Sequence, residues 1–219
     1  MKSMHLKKIN DIISGKMLIN EPMCKHTTFG IGGPAACYIN PENKLELKSI
    51  LEFAAVEKIP VFFIGSGSNL LVSDEGFDGI VISLAKTFKK LNIRKSGEIS
   101  AESGVMLGHL VRLSMQYGIT GMESLIGIPG TLGGALVMNA GAYGSEISNY
   151  FQSALVMTTT GEEKEYTQKD INFGYRFSTF SADEIITEVR FKCSPGEDKT
   201  IKGKSEKVSR QRKSSQPLK

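Results

Sequence analysis

A fold that mixes helices and strands, in one large or two small domains, is what this sequence predicts, and three observations predict it. Apolar residues recur at helical spacing in separate stretches. Short apolar runs without that period lie between them. Clusters of Gly, Pro, Ser and Asn punctuate both kinds of segment. The length agrees, since 219 residues at 40% hydrophobic and 23% charged suffice for a real core.

The elements follow in order. Met1–Lys16 reads as a short amphipathic helix with Leu6, Ile9, Ile12 and Ile13 on one face, so residues 1–21 are expected as an N-terminal helix. Next comes H-T-T-F-G-I-G-G-P-A-A-C-Y, where Gly30, Gly32, Gly33 and Pro34 forbid a regular helix and a strand is expected at Ala36–Ile39. After Pro41, the residues Leu45, Leu47, Ile50, Leu51, Ala54 and Ala55 mark a helix ending near Lys58. Pro60 opens an apolar strand, Val61–Ile64; an extended run is expected at Leu70–Val72 and a strand at Ile80–Leu84. Lys86–Glu102 reads as a strand pair with turns at Asn92 and Ser96–Gly97, and Gly104–Tyr117 as a helix stopped by Gly118. Ala154–Thr159 and Glu163–Thr167 look like a hairpin around Gly161, and Ile185–Cys193 like a strand. Ser194–Gly196 is a break, followed by a mostly polar helix at residues 199–213 whose main apolar points are Ile201 and Val208.

Two stretches carry chemistry. Gly65–Asn69, G-S-G-S-N, follows a strand with consecutive small residues. Their backbone N–H groups can converge into an anion-binding nest, with Ser66, Ser68 and Asn69 adding side-chain donors, so a phosphate or pyrophosphate suits it. It lacks the third Gly and the following helix of a Rossmann fingerprint. A plain turn explains the same residues. Gly127–Gly144, G-I-P-G-T-L-G-G-A-L-V-M-N-A-G-A-Y-G, is rich in Gly and Ala yet holds apolar side chains. Gly130, Gly133, Gly134 and Gly141 make it a wall that a flat ligand could lie against. Thr131, Asn139 and Tyr143 are the polar groups there, and a tightly packed turn and helix start is the ligand-free alternative. Gly203–Lys204–Ser205 is not a P-loop, because the upstream Gly spacing and leading strand are absent.

Charge and composition narrow the classes. The net charge is +4, with the excess in the tail and Lys and Glu interspersed elsewhere, so no nucleic-acid stripe is expected. No stretch approaches the roughly 20 apolar residues of a membrane helix. Cys24, Cys37 and Cys193 are scattered and no secretory signal is present, which points to reduced thiols and a cytoplasmic location. His5, His26 and His109 lack metal-ligand spacing, so no metal is expected.

Taken together, T-T-F-G-I-G-G-P-A (Thr27–Ala35), I-G-S-G-S-N-L-L (Ile64–Leu71), G-I-P-G-T-L-G-G-A (Gly127–Ala135), M-N-A-G-A-Y-G (Met138–Gly144), F-G-Y-R (Phe173–Arg176) and R-x-x-x-Q-P-L (Arg212–Leu218) resemble the UDP-N-acetylenolpyruvoylglucosamine reductase family. Each motif is weak alone; their order and spacing are specific. The resemblance implies an α+β, two-subdomain FAD-binding fold of the vanillyl-alcohol-oxidase (PCMH) type. Subdomains are expected at residues 22–85 and 86–198, with 199–219 a linker helix towards a C-terminal domain outside this chain.

It also implies a function. FAD would be bound non-covalently, its pyrophosphate on Gly65, Ser66, Gly67, Ser68 and Asn69. The flavin would lie along Pro129, Gly130, Gly133, Gly134, Asn139, Gly141 and Tyr143. NADPH as co-substrate would reduce the flavin, which would then reduce UDP-N-acetylglucosamine enolpyruvate to UDP-N-acetylmuramate for peptidoglycan synthesis, and so for cell shape and division. The partner implied is the UDP-sugar nucleotide substrate, with no nucleic acid and no membrane; oligomeric state is left open. Arg176 would be the catalytic residue that stabilises charge developing on the substrate carboxylate, and Tyr175 would help bind substrate beside it. The family's proton-donating Ser lies in a P-S-x-G-S-x-F segment that follows Q-P-L and is absent from these residues, so the isolated chain is expected to be inactive or weakly active. The alternatives are a non-catalytic FAD-binding module or another oxidoreductase of the same fold.

Overall fold

The computed structural model describes residues Met1–Ser215. Two sheets divide the chain between them. The first holds β1 (Lys16–Pro22), β2 (Pro34–Asn40), β3 (Val61–Ile64) and β4 (Phe77–Ser83) in the order β1-β2-β4-β3. The β1/β2 pair is antiparallel, whereas β2/β4 and β3/β4 are parallel. Parallel neighbours need a crossover, and α2 (Lys44–Val56) connects β2 to β3. Central β4 is buried on both faces from Gly79 through Ser83, so it reads as a continuous apolar run instead of alternating.

The start of α2 is set locally. Asn43 has extended backbone and its side chain accepts from the Glu46 amide, the usual N-cap bond. Leu47, Ile50, Leu51 and Ala54 form the buried face. Ile9 of α1 (Ser3–Ile12) joins the same core.

The second sheet holds β5 (Leu91–Ile93), β6 (Glu98–Glu102), β7 (Phe151–Thr158), β8 (Glu163–Thr167) and β11 (Glu184–Lys192) in the order β8-β7-β11-β6-β5, all antiparallel. A short hairpin, β9 (Phe173–Gly174) and β10 (Phe177–Ser178), precedes β11. Helices α3 (Leu107–Gln116) and α4 (Leu132–Val137) contribute to this sheet's core through Leu107, Leu110, Val111, Leu132 and Leu136. Gly118, at φ 71, follows α3 where a left-handed residue ends a helix. Met157 and Ile185 of the second sheet enter the core of the first, so the two sheets share packing. Helix α5 (Asp198–Ser215) buries Ile201 and Val208 and leaves most of its surface in solvent, as its sequence predicts.

Four expectations change. Residues 1–21 are not one helical unit. The helix ends at Ile12, and β1 adds an edge strand to the first sheet. Gly15 lets the chain run close against β2, since a Cβ there would overlap the Asn40 carbonyl. Leu70–Val72 makes no ladder; Leu70 and Val72 pack against the first sheet from a loop. Asn92 is the middle of β5 and pairs with Ser100, so the turn is at Ser96–Gly97 only. Ser194–Pro195 forms a short bridge to Ile119–Thr120. Gln216, Pro217 and Leu218 of the last motif lie outside the described residues.

Candidate functional site

A cavity of about 780 Å³ opens where β3 ends, between the first sheet and the Gly-rich wall. Its size falls within the roughly 300–1,000 Å³ of small-molecule and cofactor sites. Both loops singled out from the sequence line it: Gly65–Asn69 on one side, and Pro129, Gly130, Gly133, Gly134 and Gly141 on the other.

The loops meet. A Cβ on Gly65 would overlap Thr131 Oγ1, and Ser68 Oγ lies 3.4 Å from the Pro129 carbonyl it points to. The T-T-F-G-I-G-G-P motif supports the first loop from below. Thr28 donates its amide to the Gly67 carbonyl at 3.0 Å, and Gly33 donates to Ser73 at 2.8 Å. Ser83 Oγ holds the Gly65 carbonyl at 3.2 Å, and Asn40 Nδ2 holds the Ser83 carbonyl at 2.8 Å. Among the described residues, the amides of Ser66, Gly67, Ser68 and Asn69 donate to no protein acceptor. Four adjacent donors at the mouth of a cavity are what a nest for a bound anion requires.

The wall is held from behind. Gly133 donates to Ser103 at 2.9 Å, Leu132 to Val105 at 2.8 Å, and Leu107 to Gly130 at 3.0 Å. Gly133 packs tightly on its support, since a Cβ there would stand 3.0 Å from the Ser103 Cβ.

Arg176 reaches the cavity from the tight turn between β9 and β10, at φ 54. Its Nη2 donates to the Gly141 carbonyl at 2.9 Å, and its guanidinium carbon lies 5.2 Å from the Tyr175 ring centroid. Arg212 arrives from α5, donates Nη1 to the Gly127 carbonyl at 3.1 Å, and lies 5.7 Å from the Tyr143 ring. Glu184 is the acidic residue of the lining; it accepts from Tyr166 Oη at 2.8 Å and from Lys164 Nζ at 3.4 Å. That bond to Glu184, with burial, pushes the Tyr166 phenol above its ordinary range.

Three expected site residues do not line the cavity. Asn139 is fully buried at φ 41, and its amide is committed to protein partners. Nδ2 donates to Glu146 Oε2 at 2.8 Å and to the Gly174 carbonyl at 2.9 Å, and Oδ1 accepts from Ser148 at 3.3 Å. Its side chain therefore ties the wall to the hairpin that carries Arg176. Tyr143 turns outward at φ 53 to meet Arg212. Tyr175 is 84% exposed at the hairpin tip. Conversely, Ser103, Gly104, Leu84, Ile185 and Arg212 join the lining without having been candidates. Only Arg212 had a signal in the sequence, as the first residue of its motif; the others depend on strand pairing, such as the Ser103 amide bonding to Thr187 at 3.0 Å. Among the described residues, no cluster of His, Cys, Asp and Glu could hold a metal ion, and no helix is long and apolar enough to cross a membrane.

A family model described as an FAD binding domain matches residues 35–167. A protein named UDP-N-acetylenolpyruvoylglucosamine reductase from Caldanaerobacter subterraneus is 38% identical over 213 residues, covering 96% of this chain and 70% of its own length. One of the same name from Carboxydothermus hydrogenoformans is 38% identical, covering 94% of this chain and 68% of its own length. A solved structure of UDP-N-acetylenolpyruvylglucosamine reductase from Thermus caldophilus superposes with a TM-score of 0.79 at 32% identity, over 94% of this chain and 72% of that one. The Physcomitrella patens BBE-like 1 structure, at a TM-score of 0.64 and 14% identity over 87% of this chain and 44% of that one, shares the fold.

Proposed function

Since this chain belongs to the UDP-N-acetylenolpyruvoylglucosamine reductase family and carries its FAD-binding domain, we propose that the cavity binds FAD non-covalently for NADPH-driven reduction of the enolpyruvyl group of a UDP-linked amino sugar. The observation that carries the reading is one cavity lined by both the unpaired amides of Ser66–Asn69 and the small-residue wall. A dinucleotide needs both features, donors for its phosphates and a flat approach for its ring system.

FAD bound there would supply the hydride chemistry. The chain's own residues supply position and field. Ser66–Asn69 would offer their amides to the diphosphate charge. Gly130, Gly133, Gly134 and Gly141 would let a flat ring system approach the backbone. Arg176 presents a planar guanidinium at the cavity, suited to a substrate carboxylate on which negative charge develops during reduction. Its bond to Gly141 orients it, and the exposed Tyr175 ring lies 5.2 Å from its guanidinium carbon. In this reading residues 22–85 and 86–198 are the two subdomains, and residues 199–219 are a linker towards a C-terminal domain. The reading carries with it a cytoplasmic role in peptidoglycan precursor synthesis, where reduced nicotinamide and sugar nucleotides are available.

The test is the visible spectrum of the purified chain, identification of the flavin released on denaturation, and anaerobic addition of NADPH. Bound FAD that NADPH bleaches is the expected result. A colourless protein that takes up no added FAD would contradict the reading. Bound FAD that NADPH leaves oxidised would leave a flavin-binding module and remove the reductase.

A further inference from the structure

The Gly65–Asn69 loop rests on residues His26–Thr28. Thr28 donates its amide to the Gly67 carbonyl at 3.0 Å. Gly67, at φ 69, comes so close to the His26 carbonyl that a Cβ there would overlap it. The backbone of His26–Thr28 therefore sets where Gly67 lies, and with it the aim of the amides on either side.

That backbone is in turn held by the His26 side chain. The imidazole stacks on Tyr38, with ring centroids 4.0 Å apart and planes 20° from parallel. Tyr38 is a buried residue of β2. His26 Nε2 lies 3.0 Å from Glu21 Oε1, and both side chains are largely buried. Lys25 Nζ stands 3.6 Å from the other Glu21 oxygen. Glu21 belongs to β1, where it pairs with Ala35 of β2. The ring is thus clamped by two strands of the first sheet, and His26 does not line the cavity.

We infer that the Glu21–His26–Tyr38 clamp is a positioning device for the diphosphate of the flavin nucleotide, acting through Gly67 without touching the ligand. This rests on the cavity being the FAD site. It makes a selective claim: loosening the clamp disturbs phosphate recognition and leaves the ring-binding wall as it was.

The experiment titrates the full chain, freed of flavin, with FAD and with riboflavin, which has no phosphates, following flavin fluorescence. For His26→Ala, the FAD Kd should rise about tenfold, comparable to the loss of one hydrogen bond to a charged group, while riboflavin binding stays within about twofold. His26→Phe, which can keep the stack and loses the Glu21 bond, should fall between. FAD binding equal to wild type would overturn the inference. An equal loss for both flavins would also overturn it, because that is general loosening of the cavity. If His26→Ala fails to fold, Glu21→Gln carries the same comparison. If the wild-type chain binds neither flavin, the reading of the cavity fails, and amide hydrogen exchange decides the clamp. Faster exchange of the Thr28 amide, which bonds the Gly67 carbonyl, in Glu21→Gln, with α3 unchanged, supports it; unchanged exchange overturns it.

Discussion

Asn139 has no exposed surface, and both of its amide hydrogens and its carbonyl oxygen are engaged within the protein. From the sequence it is a polar group in a wall of small residues, which points to a ligand contact. Folding brings Glu146, Ser148 and Gly174 around it, and those contacts decide its role. Its φ of 41 lies in the left-handed region that Asn tolerates better than Ala. Asn139→Ala should therefore destabilise the chain by about 2–4 kcal/mol, the cost of losing a buried bonded network together with backbone strain. The midpoint of urea unfolding measures this, and a loss under about 1 kcal/mol would contradict the assigned role. Arg176 is the opposite case. Its motif marks it in the sequence, and the structure sets its guanidinium at the cavity because Ser178 Oγ, bonded to the Val137 carbonyl at 2.6 Å, docks the same hairpin on the wall.

Elements divide by how local their signals are. α2 and α3 are legible because their apolar faces repeat at helical spacing and a cap or a glycine marks an end. β1 is not, since Met17 and Leu18 pack into different cores and no alternation results. Helix α5 is legible as a mostly exposed helix, but its attachment is tertiary. It docks through Ile201 and Val208, a Lys204 Nζ contact to Thr120 Oγ1 at 3.1 Å, and Arg212 at Gly127. Neither apolar residue belongs to the core clusters of the sheets. Val208→Asp should put a carboxylate where none can be solvated, release the helix, and raise amide exchange along α5. The thermal midpoint should move by less than about 4 °C, the shift for roughly 1 kcal/mol in a chain of this size. Unfolding of the whole chain, or unchanged protection in α5, would show that the docking is understood wrongly.

At the scale of the molecule, the cavity takes lining residues from both sheets and from the segments that join them. A ligand there adds a link between parts whose shared packing includes Met157 and Ile185. FAD at 100 times its Kd should therefore stabilise the chain by about 2.7 kcal/mol and raise the thermal midpoint by about 5–10 °C, readable by scanning calorimetry. No shift at saturating FAD would mean the cavity does not bind it in the folded state.

The sequence by itself determined which segments are helices or strands where period and caps are local. It also determined which loops are built from small residues, and the family, because ordered motifs are written in the chain. The tertiary structure decided that Gly65–Asn69 and the wall meet at one cavity, that Asn139 faces inward and Tyr175 outward, and that Arg212 reaches the lining from a distant helix. These are questions of which surfaces meet across large sequence separations. Local backbone preference carries no information about that; it is settled when the two sheets pack.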